Sequence, residues 1–354
     1  MRSDCHVLVA PIFLPLFMPP LHATRALPTH AEITTFLQTF LPYQTPTTST
    51  STRKDGTVST VIKSDVNFLY HSPRHPTYRP TRHVVSRVIF SITPTPGVYS
   101  NLHSSSLHST TQAHNQQNVR SSPVCFLHRP WSLDRKAVPR GALVLASHVS
   151  FDAHLTVGWN VALAARLDID VDDAKCVQGY KGDPERKIGL VGKLNTPVPL
   201  SAITRLIQCQ FDGAGELHHS QGEAFDETLS YPQSIIDVIA IMNAFHGEEV
   251  ERVVSVARDL LLTSSDAIGP RVLYLTGAAR EHGLASAKEA NMPVLCVGHR
   301  ACEEWGIKYL TQMTRERWPA LDVIEILEEE EKPEKLAGPA MKAANSSDKQ
   351  QHPT

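Results

Sequence analysis

The stretch RVLYLTGAAREHGLASAKEANMPVLCVGHRACEEWG, residues 271–306, contains two short apolar runs, each followed by polar residues. The runs RVLYL and PVLCV have the length and the Val and Leu content that are typical of buried β-strands. His299 follows the second run, and Glu303 comes four residues later. If a helix begins at His299, positions i and i+4 share one face, so this imidazole and this carboxylate point the same way. The two are then either half of a metal site or an ordinary surface pair.

Apolar runs on both sides of this stretch extend the same pattern. Four more of them read as strands: PVCFL (123–127), ALVLA (142–146), IDVIAIM (236–242) and LDVIEIL (321–327). Between two of the strands, residues 248–262 place their Val, Ala and Leu side chains on one helical face. Short buried strands that alternate with helical patterns predict an α/β fold of mixed-sheet layers.

Two further segments before residue 123 have the pattern of folded structure. Thr29 and Glu32 have the spacing of a capping box, and the residues that follow keep helical periodicity until Pro42. The run VVSRVIFSI (84–92) predicts a strand. Residues 1–28 are predicted to be unstructured, with a weak likeness to a targeting segment, because four prolines interrupt their apolar run.

Polar, low-complexity sequence surrounds these segments. Residues 45–80 and 101–122 are rich in Ser, Thr, His, Asn, Gln and Pro, and they carry few large apolar side chains. Such segments bury too little apolar surface to offset their ordering entropy, so we predict disordered insertions. The acidic run that begins at Glu328 leads into a predicted disordered tail, residues 331–354.

The bulk composition narrows the class of protein. The chain has 354 residues and a net charge of −2, so it shows no charge signal for nucleic acid or for an anionic membrane. Its 6 cysteines form no CxxC pair, which favours a reduced, intracellular protein. No segment has the pattern of a membrane span. We predict a cytoplasmic protein, with the mitochondrion and the nucleus left open.

Polar residues stand just beyond several of the predicted strands. His128 follows PVCFL, His148 and Asp152 follow ALVLA, and His299 follows PVLCV. Ligands of open α/β sheets bind at the carboxyl ends of strands, so these loops can converge. Imidazole nitrogen with carboxylate oxygen suits Zn, Mn or Fe, and the absence of clustered cysteines argues against a structural zinc knot.

Three stretches resemble one known family. They are SHVSFDAHLTVGWNVALA (147–164), KIGLVGKL (187–194) and the stretch from Tyr274 to Gly306. All three are similar to signatures of the Ngg-interacting-factor (Nif-type) proteins. These proteins are also described as homologues of GTP cyclohydrolase I type 2. The resemblance covers about residues 123–330 and implies two lobes with a metal cleft between them. Lobe one would comprise residues 29–175 with 299–330, and lobe two residues 176–298.

The resemblance also implies a set of metal ligands. Position by position, they are His128, Asp152, His299 and Glu303, and the family would use them to hold two metal ions. The family's second adjacent His is replaced by Arg129, which cannot ligate and whose fixed charge repels a cation. The site then holds one divalent ion, or two with help from His148, or an anion. His282 is either a further cleft residue or a solvated helix residue.

Two functions follow as hypotheses. The first is a metal-dependent hydrolase, of the GTP cyclohydrolase or phosphate-ester class, in which the ion activates water and Arg129 binds a small anionic substrate. The second is a non-catalytic scaffold or transcription-related regulator whose metal only ties the lobes together. A catalytic ion keeps an open coordination position, whereas a structural ion does not. The resemblance further implies a homo-oligomer, commonly a hexamer.

Overall fold

The computed structural model describes residues 27–42, 47–52, 58–63, 68–107, 121–180, 182–218, 234–262 and 267–329. Its strands are β1 (Thr47–Thr52), β2 (Val58–Lys63), β3 (Leu69–His71), β4 (Val84–Ser91), β5 (Ser121–Leu127), β6 (Leu143–Ala146), β7 (Lys175–Tyr180), β8 (Asp183–Pro199), β9 (Glu216–His218), β10 (Ile235–Met242), β11 (Val272–Thr276), β12 (Val294–Cys296) and β13 (Asp322–Ile326). Its α-helices are α1 (His30–Phe40), α2 (Pro96–Leu107), α3 (Val149–His154), α4 (Val161–Arg166), α5 (Leu200–Gln210), α6 (Gly247–Leu261), α7 (Glu281–Glu289) and α8 (His299–Arg317).

The first main sheet has five strands in the order β13-β4-β5-β6-β3. Its first four strands are parallel, and β3 pairs antiparallel with β6 at the edge. Parallel strands point their carboxyl ends to one side, so the loops after β4, β5 and β6 meet at a single sheet edge. The loop after β5 begins with His128, and α3 follows β6 directly.

The second main sheet has six strands in the order β7-β8-β10-β11-β12-β9. Only β10, β11 and β12 run parallel to one another, so this sheet is mixed. The short strand β12 ends shortly before α8 begins. The α/β fold with mixed sheets that the sequence predicts is confirmed. The residue boundaries of the two lobes stay a prediction.

Helix α8 packs on both main sheets, and this decides where the site can form. Ile307 and Leu310 join the core that the first sheet builds with α1 and α3. Cys302 and Trp305, one turn earlier, join the core that α4 and α5 build on the second sheet. Helix α8 therefore buries apolar side chains against both cores, while several of its other positions remain at least partly exposed. Its first turn carries Glu303 into the region between the two cores.

Several elements of the structure lie within the segments 45–80 and 101–122, for which disorder stays a prediction. The hairpin β1–β2 and strand β3 lie in the first segment, and α2 continues into the second as far as Leu107. Side-chain periodicity is a poor signal here, because β3 is held by backbone pairing with β6 and α2 by two buried side chains, Val98 and Leu102. The remaining parts of these segments, together with residues 1–26 and 330–354, lie outside the described residues.

The glycines of the KIGLVGKL stretch lie within β8 and not at a turn. A Cβ atom on Gly189 would lie against the Met242 side chain, and one on Gly192 against Ile169 Cγ2. Both positions therefore permit close packing on the second sheet. Among the described helices, none is long and apolar enough to cross a membrane.

Candidate metal centre

His128 occupies the carboxyl end of β5 and is fully buried. Its backbone N–H donates to the Ser91 carbonyl at 3.2 Å, so it continues the pairing of β5 with β4. Its Nδ1 lies 3.2 Å from the Ser147 carbonyl, which can only accept, so Nδ1 carries a proton. A histidine held in this way presents Nε2 to its surroundings, which is the usual arrangement of a metal-ligating imidazole.

Helix α3 supplies an imidazole and a carboxylate beside His128. His148 and Asp152 are one helical turn apart, and the Asp152 N–H donates to the His148 carbonyl at 2.9 Å. Asp152 Oδ1 lies 3.3 Å from His128 Nε2, and Asp152 Oδ2 lies 3.8 Å from His148 Nε2. The three residues each offer a ligand atom within 4.8 Å of the other two, so together they form a group that could hold a metal ion.

Helix α8 brings a second carboxylate to the same imidazole. Gly298 precedes the helix with φ of +90°, a backbone angle that favours glycine. Glu303 Oε1 lies 3.2 Å from His128 Nε2 and 3.4 Å from His299 Nε2. The Glu303 side chain is 1% exposed and that of His299 is 67% exposed. The i,i+4 pair of the opening stretch is therefore not a surface pair, because its carboxylate is buried.

Arg129 lies on the other side of Glu303. Its guanidinium contacts both carboxylate oxygens at 3.4 Å, and its side chain is 33% exposed. A fixed cation thus stands beside the carboxylate that also contacts His128 and His299.

Charge and burial shift the pKa values of these groups. Burial lowers the pKa of His128, but the carboxylates of Asp152 and Glu303 outweigh it and raise that pKa to about 9. Burial acts to raise the pKa of Glu303, but His128, His299 and Arg129 hold it well below its usual range. Contact with Glu303 raises the pKa of His299 above its ordinary value, against a smaller lowering by burial. Glu303 is therefore ionised, and His128 binds a proton when no other cation is present.

Two buried donor atoms of the cluster are placed as ligands of a metal ion would be. His128 Nε2 and Glu303 Oε1 are buried and lie 3.2 Å apart, yet neither forms a hydrogen bond of good geometry with a described residue. Buried polar atoms are nearly always hydrogen-bonded, so such a pair facing each other indicates an absent partner. Their separation is close to the about 3.3 Å that tetrahedral geometry gives neighbouring ligand atoms at bonds of about 2.0–2.1 Å. Nitrogen and oxygen donors of this kind suit Zn, Mn or Fe.

Close packing of α3 on α8 sets these distances. A Cβ atom added to Gly306 would lie 2.5 Å from Phe151 Cζ and 2.6 Å from the Leu155 carbonyl oxygen. The absence of a side chain at Gly306 therefore lets α3 approach α8. This approach brings the carboxylates of Asp152 and Glu303 to the same Nε2 atom of His128.

The structure brings the four ligands named from the sequence into one chain of contacts: His128, Asp152, His299 and Glu303. His148, an auxiliary candidate, takes a larger part than expected, because it completes the group with His128 and Asp152. His282 is exposed on α7, and no described contact joins it to the cluster. Sequence reasoning missed Ser147, whose backbone carbonyl orients His128, and no residue-type signal could have revealed it.

Comparisons with known proteins identify related sequences and structures. The model of the family Duf34/NIF3 (NGG1p interacting factor 3) matches residues 132–333. Over 172 residues the chain is 25% identical to the GTP cyclohydrolase 1 type 2 homolog of Pyrococcus abyssi (strain GE5 / Orsay). That alignment covers 49% of this chain and 57% of the relative, so it spans little more than half of the relative's length.

Solved structures with a similar course of the chain include three proteins. The structural-genomics protein ybgI, of unknown function, has 17% identity and a TM-score of 0.48, covering 84% of this chain and 97% of that one. Reduced HcgD from Methanocaldococcus jannaschii has 15% identity and a TM-score of 0.47, covering 84% and 97%. A Bacillus cereus protein related to NIF3 has 10% identity and a TM-score of 0.45, covering 85% and 97%.

Proposed function

Because this chain belongs to the Duf34/NIF3 (NGG1p interacting factor 3) family, we propose that it is a hydrolase that depends on one divalent metal ion. The observation that carries the proposal is the facing pair of buried atoms, His128 Nε2 and Glu303 Oε1, neither of which forms a hydrogen bond of good geometry with a described residue. A cation is the partner that both a neutral imidazole nitrogen and a carboxylate oxygen accept.

The ligands would be His128, His148 and Asp152, with Glu303 also in contact with Nε2 of His128. A divalent ion supplies Lewis-acid chemistry, polarising a carbonyl or phosphoryl oxygen and lowering the pKa of water. The Ser147 carbonyl keeps the ring of His128 oriented and its Nε2 free of a proton when the ion binds. His148 is partly exposed, so the centre lies near solvent and is accessible to a substrate.

Charge balance favours one ion over two. The cluster holds two carboxylates, those of Asp152 and Glu303, and one permanent cation, Arg129. One divalent ion leaves a small positive excess, whereas two ions would leave three uncompensated positive charges around the buried Glu303. Uncompensated charge in a buried site is energetically unfavourable, so the fixed positive charge of Arg129 would replace that of a second ion.

Two residues at the exposed side of the cluster would handle the substrate. Arg129 is partly exposed and presents a planar guanidinium, which suits a phosphate or carboxylate group. His299 is mostly exposed, and contact with Glu303 raises its pKa, which favours a role in protonating a leaving group. The substrate class we propose is a small anionic molecule, with GTP-cyclohydrolase chemistry or phosphate-ester hydrolysis as the two reactions.

A purely structural ion is the competing function, and one observation favours it. The candidate ligands come from the β5 loop, α3 and α8, so an ion there would tie together elements distant in sequence. The homo-oligomer expected from the family resemblance stays a prediction.

The test combines metal analysis with two assays on tagless, full-length protein. Elemental analysis gives the ions per chain, while formate release from GTP and phosphate release from p-nitrophenyl phosphate report the two reactions. Glu303→Gln should lose metal and activity together, because it removes a ligand charge. Glu304→Gln is the matched control, since Glu304 pairs with Arg300 outside the cluster. A protein that binds metal, loses thermal stability on metal removal and shows neither activity would favour the structural ion.

A further inference from the structure

A column of aromatic rings leads from the core through the candidate metal centre to the surface. Phe126 and Phe151 are stacked with ring centroids 6.0 Å apart, and Phe151 is stacked on His128 at 4.3 Å. His128 is stacked on His148 at 4.9 Å with the ring planes only 3° apart. Trp131 ends the column, 5.2 Å from His148 and tilted by 49°. Two of the five rings are therefore candidate metal ligands.

The exposed end of the column is unusual for its residue type. Trp131 is 56% exposed, whereas Trp305 and Trp318 are buried and Trp159 is partly covered by Lys187. Exposed large aromatic side chains are enriched where a protein binds a partner or ligand, because indole gains much from leaving water. The indole of Trp131 contacts the imidazole of His148, so a ring that binds to Trp131 would lie near one candidate metal ligand.

A fixed positive charge close to Trp131 in the sequence indicates what kind of molecule fits. Arg129 stands two residues earlier in the chain, and its guanidinium side chain is 33% exposed. A ligand for this surface would combine a flat ring for the indole with an anionic group for the guanidinium. An aliphatic phosphate carries the anionic group but has no flat ring to contact the indole.

We propose that Trp131 is the stacking platform for a planar heteroaromatic substrate of the purine-nucleotide class, held next to the His128–His148–Asp152 centre. The inference rests on the proposed function, since it names the substrate class of that same site. Trp131 acts as a binding and specificity residue, through the π-face of its indole. His148 carries the contact from the platform to the centre, because the same ring contacts both Trp131 and Asp152.

The experiment measures binding of two probes to metal-loaded, full-length protein by isothermal titration calorimetry. GMP carries a ring and a phosphate, whereas ribose 5-phosphate carries the phosphate alone. The variants are Trp131→Leu, which removes the ring, and Trp131→Phe, which keeps one. Leu262→Ala is the control for loss of exposed apolar surface far from the site, because Leu262 is exposed at the end of α6.

The proposal expects Trp131→Leu to bind GMP about tenfold more weakly than the wild type, the size of effect that loss of base stacking has elsewhere. Trp131→Phe should stay within about threefold of the wild type, and ribose 5-phosphate should bind all variants equally. Unchanged GMP affinity in Trp131→Leu, or no GMP binding by the wild type, would overturn the platform. So would sedimentation showing that Trp131→Leu only dissociates an assembly of copies of this chain.

Metal analysis of the same samples separates this inference from the proposed function. A wild type that binds metal but does not distinguish GMP from ribose 5-phosphate overturns the platform and leaves the metal centre standing. A wild type that binds no metal overturns the metal-dependent hydrolase, and the platform with it. Equal metal content in the wild type and Trp131→Leu is needed to assign lost GMP binding to the indole.

Discussion

Glu303 Oε1 lies 3.2 Å from His128 Nε2, although the two residues come from distant parts of the sequence. His128 ends a strand of the first sheet, and Glu303 belongs to a helix that packs on both sheets. The contact therefore depends on the packing of α8, and any change in that packing changes the site.

Replacing Arg129 by His should raise the divalent metal content from one ion per chain toward two. The change exchanges a repelling cation for a neutral ligand next to Glu303. Elemental analysis of the purified variant measures the result, and Arg129→Lys, which keeps the charge, should stay at one ion. In either background His299→Ala should lower the metal content, since it removes a neighbour of Glu303. Equal metal content in the wild type and in all of these variants would disprove this account of Arg129.

Metal binding should release about one proton per ion near neutral pH. The proton on His128, whose pKa is raised to about 9, competes with the cation for Nε2. Metal affinity should therefore rise about tenfold per pH unit below that pKa and level off above it. Calorimetry in buffers of different ionisation enthalpy counts the protons released. A pH-independent affinity between about pH 6 and 8 would show that His128 is not a ligand.

Gly306→Ala should loosen both the fold and the centre. The added methyl group would lie 2.5 Å from Phe151 Cζ, so α3 has to move away from α8. Overpacking of this kind costs about 1–3 kcal/mol, which thermal unfolding of the metal-free protein would detect. The displaced α3 also carries Asp152 away from His128, so metal affinity should fall as well. Normal stability together with normal affinity would mean that α3 and α8 approach less closely than the structure indicates.

Stability of the metal-free protein should decrease in acid because of His30, the first residue of α1. Burial lowers the pKa of His30 to about 4, and its ring contacts Ser122 and Tyr78. In the unfolded chain His30 binds a proton below about pH 6.5, whereas in the folded protein it stays neutral down to about pH 4. The folded state therefore loses stability as the pH falls from about 6.5 to 4. Above pH 6.5 both states are neutral and the contribution is complete.

The slope attributable to His30 should approach about 1.4 kcal/mol per pH unit. Urea unfolding at several pH values measures the free energy of unfolding. His30→Gln should remove this part of the slope, because an amide does not titrate. His103→Gln, a change at an exposed position of α2, should leave it unchanged. An identical slope in the wild type and His30→Gln would contradict the burial of a neutral imidazole.

Local sequence determined the strands and much of the site. Apolar runs such as PVCFL and IDVIAIM encode buried strands by their own composition, and both lie within observed strands, β5 and β10. The spacing of His299 and Glu303 placed them on one helical face, and the capping box at Thr29 predicted the start of α1. These features depend on residues a few positions apart, which is why they can be read from the sequence.

Tertiary structure alone decided which of these groups are in contact and how far each is buried. Nothing near Glu303 in the sequence shows that its carboxylate is buried, because burial comes from α8 packing between two cores. The larger part of His148 and the exposure of Trp131 likewise arise from contacts with other elements. Strand β3 and helix α2 also depend on contacts with other elements, β3 on pairing with β6 and α2 on packing of Val98 and Leu102. Periodicity records which face of an element is apolar, whereas the partner of that face is fixed only when distant segments pack together.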